Sequence, residues 1–245
     1  MSRVVVDLGN SRMKWGRVDA GRVSAMAALD YAQPNRWAEL FDQWNQPKSW
    51  HLSGVVPDRQ SQLDNWLAQR SITSGIVTRT DVFRSLDANG LSSRVERPDL
   101  IGIDRLLGVL GGWRMRDKQR PVVTVAVGTA TTVDVVDAHG VHRGGVIFPG
   151  PALMAKSLHD HTAALPLVPV PSASETLGRV TETAIAAGIH HAVVGAVERI
   201  VGTLGRPCVF ITGGDAGLFE SVLRDGWQIV PTLILDGLAH TTEAK

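Results

Sequence analysis

An aspartate and an arginine stand side by side in Gly102-Ile103-Asp104-Arg105, just downstream of Pro98. We place this pair at the start of a helix, where the positive end of the helix dipole favours a charged carboxylate. Asp104 is therefore a candidate general base, and Arg105 can hold a substrate carboxylate or phosphate through two parallel hydrogen bonds. The same residues also fit a plain helix cap beside a surface arginine, and alone they favour neither interpretation.

A second candidate site is the glycine turn of residues 7–11 (DLGNS). A tight glycine turn lets backbone N–H groups approach an anion closely. Asn10 and Ser11 add side-chain donors, Lys14 adds a positive charge, and Asp7 can hold Mg²⁺ through water. Alone, this segment is more typical of an ordinary hairpin turn.

Three further glycine segments follow or interrupt apolar runs, at residues 128–132 (GTATT), 144–150 (GGVIFPG) and 211–215 (ITGGD). The first offers glycine access with hydroxyl donors, and the third can accept the flat face of a nucleotide base or sugar. The second permits close approach of a ligand or simply breaks a strand. Each has an ordinary structural interpretation as a turn, so none identifies a function alone.

Several common catalytic signatures are missing from the sequence: a GxxxxGK[ST] phosphate loop, a GxGxxG dinucleotide turn, HExxH and GxSxG. His159 and His161 diverge on a helix, as do the adjacent His190 and His191. We therefore predict no metal-ligating side-chain cluster.

A weak internal repeat indicates which elements position these residues. Residues 4–21 and 123–140 each run from a β-branched strand through a glycine turn into a second strand, and each ends at an Asp-Ala turn. This pattern predicts two β-meanders, and the duplication predicts two similar α/β domains.

Helical patterns lie between and after the meanders. Residues 104–115 form a mostly apolar helix candidate whose basic end leads to Pro121, so we predict domains at 1–118 and 119–245. Residues 181–204 carry apolar side chains at helical spacing, which fits a core helix or a dimer seam. Pro166, Pro169 and Pro171 predict an extended loop before this helix.

The composition favours a cytoplasmic protein. Lys plus Arg number 25 and Asp plus Glu 24, so the net charge of +1 gives no general attraction to nucleic acid or anionic membranes. Cys208 is the only cysteine, which excludes an intramolecular disulfide. We expect no secretory signal and no stretch long and apolar enough to span a bilayer.

In order along the chain, these motifs resemble those of type III pantothenate kinases, and the resemblance runs nearly end to end. The family belongs to the acetate and sugar kinase, Hsp70 and actin superfamily. The matching segments are DLGNS at 7–11, SGVVP at 53–57, GIDR at 102–105, GTATTVD at 128–134, GGVIFPG at 144–150, TAALP at 162–166 and TETAI at 181–185.

The resemblance implies an α/β fold of two duplicated ribonuclease-H-like domains with a nucleotide cleft between them. It implies ATP with Mg²⁺ as cofactors, pantothenate as the small-molecule substrate, and a homodimer. The net charge of +1 separately predicts no nucleic acid or membrane partner. Asp104 would be the general base on the primary hydroxyl of pantothenate, and residues 102–105 (Gly102, Ile103, Asp104, Arg105) would bind pantothenate with support from Thr181. The ATP phosphates would contact Asp7, Leu8, Gly9, Asn10, Ser11, Arg12, Met13, Lys14 and Thr129.

The sequence departs from the family pattern at two places. The family usually has Asp where this chain has Ala126, and there it is associated with bound potassium or ammonium. Ala126 is also the counterpart of Asp7 in the internal repeat. The family often has a substrate-contacting Tyr upstream of Pro98, whereas residues 91–97 contain none and the only Tyr is Tyr31. A monovalent cation requirement and the affinity for pantothenate therefore stay open.

The predicted function is ATP-dependent phosphorylation of pantothenate to 4'-phosphopantothenate, the first step of coenzyme A biosynthesis. Two alternatives remain at this point: a kinase for another small hydroxyl compound, and a catalytically impaired ligand-binding or regulatory homologue. Ala126 and the missing Tyr favour the impaired homologue, whereas the presence of Asp7, Asp104 and Arg105 favours a kinase.

Overall fold

A computed structural model describes residues 3–54, 57–117, 119–169 and 177–242. The first half contains β1 (Arg3–Leu8), β2 (Met13–Asp19), β3 (Arg22–Leu29), α1 (Pro34–Gln43), β4 (Ser49–Gly54), α2 (Pro57–Ala68), β5 (Ser74–Ile76), α3 (Arg79–Ala88), β6 (Ser92–Ser93) and α4 (Ile103–Met115). The second half contains β7 (Val122–Val127), β8 (Ala130–Val136), β9 (Val141–Pro149), α5 (Pro151–His161), α6 (Thr181–Val201), β10 (Cys208–Thr212), a 3₁₀ helix (Ala216–Val222), β11 (Trp227–Ile229) and α7 (Leu233–Thr241).

The chain forms two compact units. The first comprises the residues up to Arg114 and those from Thr232 onward, and the second runs from Met115 to Pro231. The predicted ranges 1–118 and 119–245 differ from this division chiefly in the C-terminal segment. Helix α7 packs on β1 of the first unit, and a side chain at Gly237 of α7 would meet the backbone of Leu107 in α4.

The first unit is built on a sheet of strand order β3-β2-β1-β4-β5, in which β1 is antiparallel to β2 and parallel to β4. Because side chains alternate across a strand, the two faces of β1 differ. Val4, Val6 and Leu8 pack into a large apolar cluster with α1 and α2. Val5 and Asp7 therefore face the opposite side of the sheet, the side on which Leu235 of α7 packs against Gly16.

Tryptophans fill the apolar cluster of the first unit. Trp15 of β2 lies at its centre, and its ring centroid is 4.8 Å from that of Trp50 in an edge-on arrangement. Trp37, Trp44 and Trp66 surround it with ring centroids 5.8–6.4 Å away. Such aromatic contacts add to the stabilisation that comes from burying their area. The cluster fixes β1 and β2, and with them the turn that joins the two strands.

The second unit repeats the strand order of the first. Its strands run β9-β8-β7-β10-β11, again with a central strand antiparallel to the strand after it and parallel to a later one. The predicted duplication of ribonuclease-H-like units is thereby confirmed, and Ala126 takes the place in β7 that Asp7 takes in β1.

Helix α6 begins at the predicted Thr181 and ends at Val201, three residues before the predicted end. Contrary to the expectation that no such stretch exists, it is long and apolar enough to span a membrane by length and composition. Its packing explains this composition, because Val193, Val194 and Val197 are buried in the core of the second unit. A core helix of this kind meets the same criteria as a membrane span.

One local interpretation needs correction. The glycine segment at 144–150 does not break a strand, because β9 continues through Gly144 with a shift of register that its positive φ of 95° accommodates. The glycine turn at 211–215 leads into the 3₁₀ helix Ala216–Val222. Pro171 lies outside the described residues.

Candidate active site

At the end of β1, the Asp7 carboxylate lies within electrostatic range of an amine and of a second carboxylate. Asp7 and Lys14 are direct partners across the β1–β2 pair. Burial raises the pKa of Asp7 to about 6, Lys14 acts to lower it, and the neighbouring Asp104 carboxylate raises it further. The fold thus brings residues 7 and 104, which are far apart in sequence, into each other's neighbourhood.

The carboxylate of Asp104 lies over Gly102, which precedes the first residue of α4. A Cβ atom added at Gly102 would lie 2.5 Å from Oδ1 of Asp104. Asp104 is in the first turn of α4, so the helix start predicted at this segment is present. Ile103 and Leu106 are buried and anchor this end of the helix, and they leave Asp104 half-buried.

A tyrosine outside the sequence motifs supports the turn between β1 and β2. The hydroxyl of Tyr31 donates a hydrogen bond of 2.8 Å to the carbonyl of Gly9. The guanidinium of Arg59 lies 4.6 Å from the centre of the Tyr31 ring. Burial raises the pKa of Tyr31 to about 12, and Asp7 adds to the rise while Arg59 opposes it. Tyr31 is thus a neutral hydrogen-bond donor at neutral pH.

Residues of the predicted phosphate segment divide into two groups. Asn10, Ser11 and Arg12 are exposed on the turn, and Lys14 is half-buried. Leu8 and Met13 are buried with their side chains in the tryptophan cluster, so only their backbone groups are available to a ligand. A side chain at Gly9 would meet the carbonyl of Arg12 at 2.8 Å, which explains the glycine.

In the second unit, three glycine segments meet at the end of β7. The N–H of Gly150 donates to the carbonyl of Thr129 at 3.0 Å, and the N–H of Asp215 donates to the carbonyl of Val127 at 3.2 Å. A side chain at Gly213, where φ is 106°, would overlap the backbone of Val127. The turn at 128–132, the start of α5 and the loop at 213–215 therefore form one local structure that is accessible to a ligand at Thr129, which is exposed.

Thr181 lies elsewhere in the second unit, on the wall of a large apolar groove. The groove has a volume of about 910 Å³ and is formed by α5, α6 and the loop around Leu165. Its exposed leucines include Leu153 and Leu158. Thr181 is one of its few polar lining residues.

The described residues contain no group of three or more His, Cys, Asp or Glu side chains that could hold a metal ion. The buried carboxylate of Asp7 nevertheless suits Mg²⁺, which needs only one or two carboxylates and keeps several waters. The Asp104 carboxylate nearby disfavours the charged form of Asp7, and a cation bound at Asp7 would offset this effect. Ala126, the counterpart of Asp7, offers no side-chain oxygen.

Comparisons with known proteins point to one family. A family model described as type III pantothenate kinase matches residues 3–203. The type III pantothenate kinase of Nitrosococcus oceani is 32% identical over 98% of this chain and 93% of its own length. That of Dechloromonas aromatica is 33% identical over 97% of both chains.

Among solved structures, the activator of 2-hydroxyisocaproyl-CoA dehydratase from Clostridium difficile, solved with bound ADPNP, has a TM-score of 0.55 and 15% identity. It covers all of this chain, and the match covers 96% of its own length, so it supports the fold. Both sequence relatives match over nearly their full length with at least 30% identity, and the family model covers most of the chain. The chain therefore belongs to the type III pantothenate kinase family.

Proposed function

We propose that this protein transfers the γ-phosphoryl group of ATP to the primary hydroxyl of pantothenate, which yields 4'-phosphopantothenate for coenzyme A biosynthesis. The observation that carries the proposal is that Asp7, beside a glycine turn, is paired with Lys14 and lies within electrostatic range of the Asp104 carboxylate. A kinase needs a base for the acceptor hydroxyl next to groups that hold phosphate, and this part of the first unit supplies both.

In the proposed reaction, Asp104 accepts the proton of the pantothenate hydroxyl as its oxygen bonds to the γ-phosphorus. The bond from that phosphorus to the oxygen bridging it to the β-phosphate breaks, and ADP leaves. Lys14 and the N–H groups of the turn stabilise the charge on the phosphate oxygens. Arg105 and Gly102 bind pantothenate, supported by Thr181, and Thr129 contacts the ATP phosphates.

We propose Asp7 as the residue that holds Mg²⁺ through water. Its buried carboxylate receives no hydrogen bond from any described residue, so its lone pairs remain available to the waters of a hydrated cation. When bound, Mg²⁺ neutralises charge on the β- and γ-phosphates. Since Ala126 offers no oxygen ligand, we propose that activity does not require potassium or ammonium.

We further propose that the protein acts as a cytoplasmic homodimer through the apolar groove of the second unit. A groove of this size with exposed leucines is costly to leave in water, and Thr181 on its wall would bring a pantothenate-binding residue to the subunit interface. A single, buried cysteine fits a reducing compartment.

The substrate can be tested with a panel of acceptors. Purified protein is incubated with MgATP and pantothenate, glycerol, glucose, acetate or pantetheine, and ADP release is measured. We expect turnover with pantothenate to be at least about ten-fold higher than with the other acceptors. One or two polar contacts between the site and pantothenate are enough to give this preference. Equal or greater turnover with another acceptor would assign a different substrate.

A further inference from the structure

Three neighbouring strands of the first unit present their side chains in a line beside the phosphate turn. Asp7 of β1 is paired with Lys14 of β2 on one side and with Ser53 of β4 on the other. Paired residues on adjacent strands share a face of the sheet. Lys14, Asp7 and Ser53 therefore form a row, which faces away from the tryptophan cluster.

Ser53 is the member of this row without an evident structural role. Its side chain is 1% exposed, and its hydroxyl has no hydrogen-bond partner among the described residues. A buried hydroxyl without a partner destabilises a fold, so such groups are uncommon unless they serve a ligand. The Asp7 carboxylate beside it is likewise without a hydrogen bond from any described residue.

A ligand explains why serine rather than another small residue occupies this position. For fold stability alone, alanine would be better, because it would fill nearly the same space without an unsatisfied hydroxyl. A second carboxylate would add to the repulsion that already exists between Asp7 and Asp104. A hydroxyl adds a donor and an acceptor without charge, which suits a place next to a carboxylate that must hold a hydrated cation.

We propose that Ser53 is a binding residue for MgATP. Its hydroxyl donates a hydrogen bond to the oxygen of MgATP that lies next to Asp7. This proposal rests on the proposed function, because it takes MgATP as the ligand of the turn. The oxygen belongs either to a phosphate or to a water molecule of the Mg²⁺ hydration shell, and both are acceptors of the same kind.

The test compares Ser53→Ala with Ser85→Ala, a matched control in the same unit. Ser85 is also buried, but its hydroxyl already donates to the carbonyl of Asp81 at 3.1 Å in α3, away from the row. Each variant and the wild type are studied by thermal unfolding without nucleotide and by calorimetric titration with a non-hydrolysable ATP analogue, with Mg²⁺ or with EDTA.

We expect Ser53→Ala to keep or raise the unfolding temperature of the free protein, while the Kd for the Mg²⁺–analogue complex rises roughly ten- to 100-fold, as loss of one hydrogen bond to a charged ligand predicts. Ser85→Ala should lower the unfolding temperature and leave the Kd within about two-fold of the wild-type value. A purely structural serine at position 53 would behave like Ser85.

The EDTA arm identifies the acceptor. A defect of Ser53→Ala that persists in EDTA assigns the acceptor to a phosphate oxygen, and a defect seen only with Mg²⁺ assigns it to a metal-bound water. Wild-type affinity in the Ser53→Ala variant, or a fall in its unfolding temperature equal to that of Ser85→Ala, would overturn the inference while the proposed function stands. A wild-type protein that binds no analogue with Mg²⁺ would overturn both.

Discussion

Gly102 leaves room for the carboxylate that we assign as the base. A methyl group at this position would lie 2.5 Å from Oδ1 of Asp104, so the carboxylate would have to turn away. The obstructing atom is the end of a flexible side chain rather than backbone. The substitution should therefore disturb the chemistry much more than the fold.

We predict that Gly102→Ala lowers kcat at least about ten-fold, since a displacement of about 1 Å in a catalytic group can cost 10²-fold. The unfolding free energy should fall by no more than about 1 kcal/mol, the usual cost of a poorer helix cap. Steady-state kinetics and urea unfolding provide the two values. Unchanged kcat in a folded variant would show that the position of Asp104 in this structure is not the reactive one.

Asp7 provides a prediction about pH. Its pKa of about 6 in the folded protein lies above the ordinary value of 3.8, so the folded state binds this proton more tightly than the unfolded state. The contribution of Asp7 to the unfolding free energy is greatest below pH 3.8, where the carboxyl is protonated in both states. This contribution is lost as the pH rises through about 6 and the folded protein must carry a buried charge. At neutral pH, Asp7 therefore destabilises the protein in the absence of a ligand.

We expect Asp7→Asn to raise the unfolding free energy at pH 7.5 in EDTA by up to roughly 3 kcal/mol, which is the linkage value of a shift of about two pKa units. The gain should shrink at pH 4.5, as urea unfolding at both values can show. Asp225→Asn, at a site whose side chain is 84% exposed, should change stability little at either pH. An Asp7→Asn variant less stable than wild type at pH 7.5 would contradict this account.

Residue types alone predicted much of the site but not all of it. The turn at 7–11 and Asp104 were recognisable because their types and order form a motif. Tyr31 carries no local signal, because its hydroxyl reaches Gly9 across 22 residues and only the folded chain brings them together. Leu8 and Met13 lie within the motif, yet the alternation of β-strands turns them into the core.

At the scale of elements, the close packing of α4 on α7 positions the helix that carries Asp104, the proposed base. Gly111 of α4 approaches the backbone of Leu233, and Gly237 of α7 approaches the backbone of Leu107, so both helices use glycine where they meet. Because α7 comes from the end of the chain, the sequence alone did not reveal that it packs with the first unit.

We predict that Gly237→Ala lowers the unfolding free energy by about 2–3 kcal/mol, because the new methyl group meets backbone that cannot move without separating the helices. The control is Gly195→Ala in α6, where an added Cβ meets no atom within 4 Å. This substitution should raise the unfolding free energy by about 0.5–1 kcal/mol, because alanine has a higher helix propensity than glycine. Urea unfolding of both variants measures the difference. Equal effects of the two substitutions would exclude tight packing of α7.

The helix boundaries show what periodicity can and cannot predict. The start of α6 at Thr181 was evident from the polar residues before an apolar pattern. Its end at Val201 was not, because Leu204 continues the pattern while the backbone turns after Gly202. The apolar composition of α6 is a consequence of packing in the core and on the groove wall, which a hydropathy count does not distinguish from a membrane span.

At the scale of the whole molecule, the repeated strand order is the feature that the sequence predicted best. Two glycine turns in matching places predicted two matching units, and the sheets β3-β2-β1-β4-β5 and β9-β8-β7-β10-β11 bear this out. The repeat also made the loss of the Asp7 counterpart at Ala126 visible in the sequence itself. The apolar groove had no such signal, because its residues come from α5, α6 and a loop.

The proposed dimer leads to a prediction about the groove. Leu158→Glu places a charge on an apolar wall and should convert the dimer into a monomer, since an unpaired charge is costly to bury in an interface. Light scattering after size exclusion measures the mass. Leu223→Glu, a substitution at an exposed leucine outside the groove, should leave the dimer intact. A Leu158→Glu protein that remains dimeric would place the interface on another surface.

The assignment of Asp104 as the base for pantothenate is tested most directly by following phosphorylated product with ³¹P NMR in wild type and Asp104→Asn, each with MgATP and pantothenate, with and without potassium. We predict 4'-phosphopantothenate from the wild type under both conditions, and a turnover about 10²–10⁴-fold lower in the variant with its affinity for MgATP retained, because the variant loses only the base. Equal turnover in Asp104→Asn, or no product from folded wild type under either condition, would contradict the account.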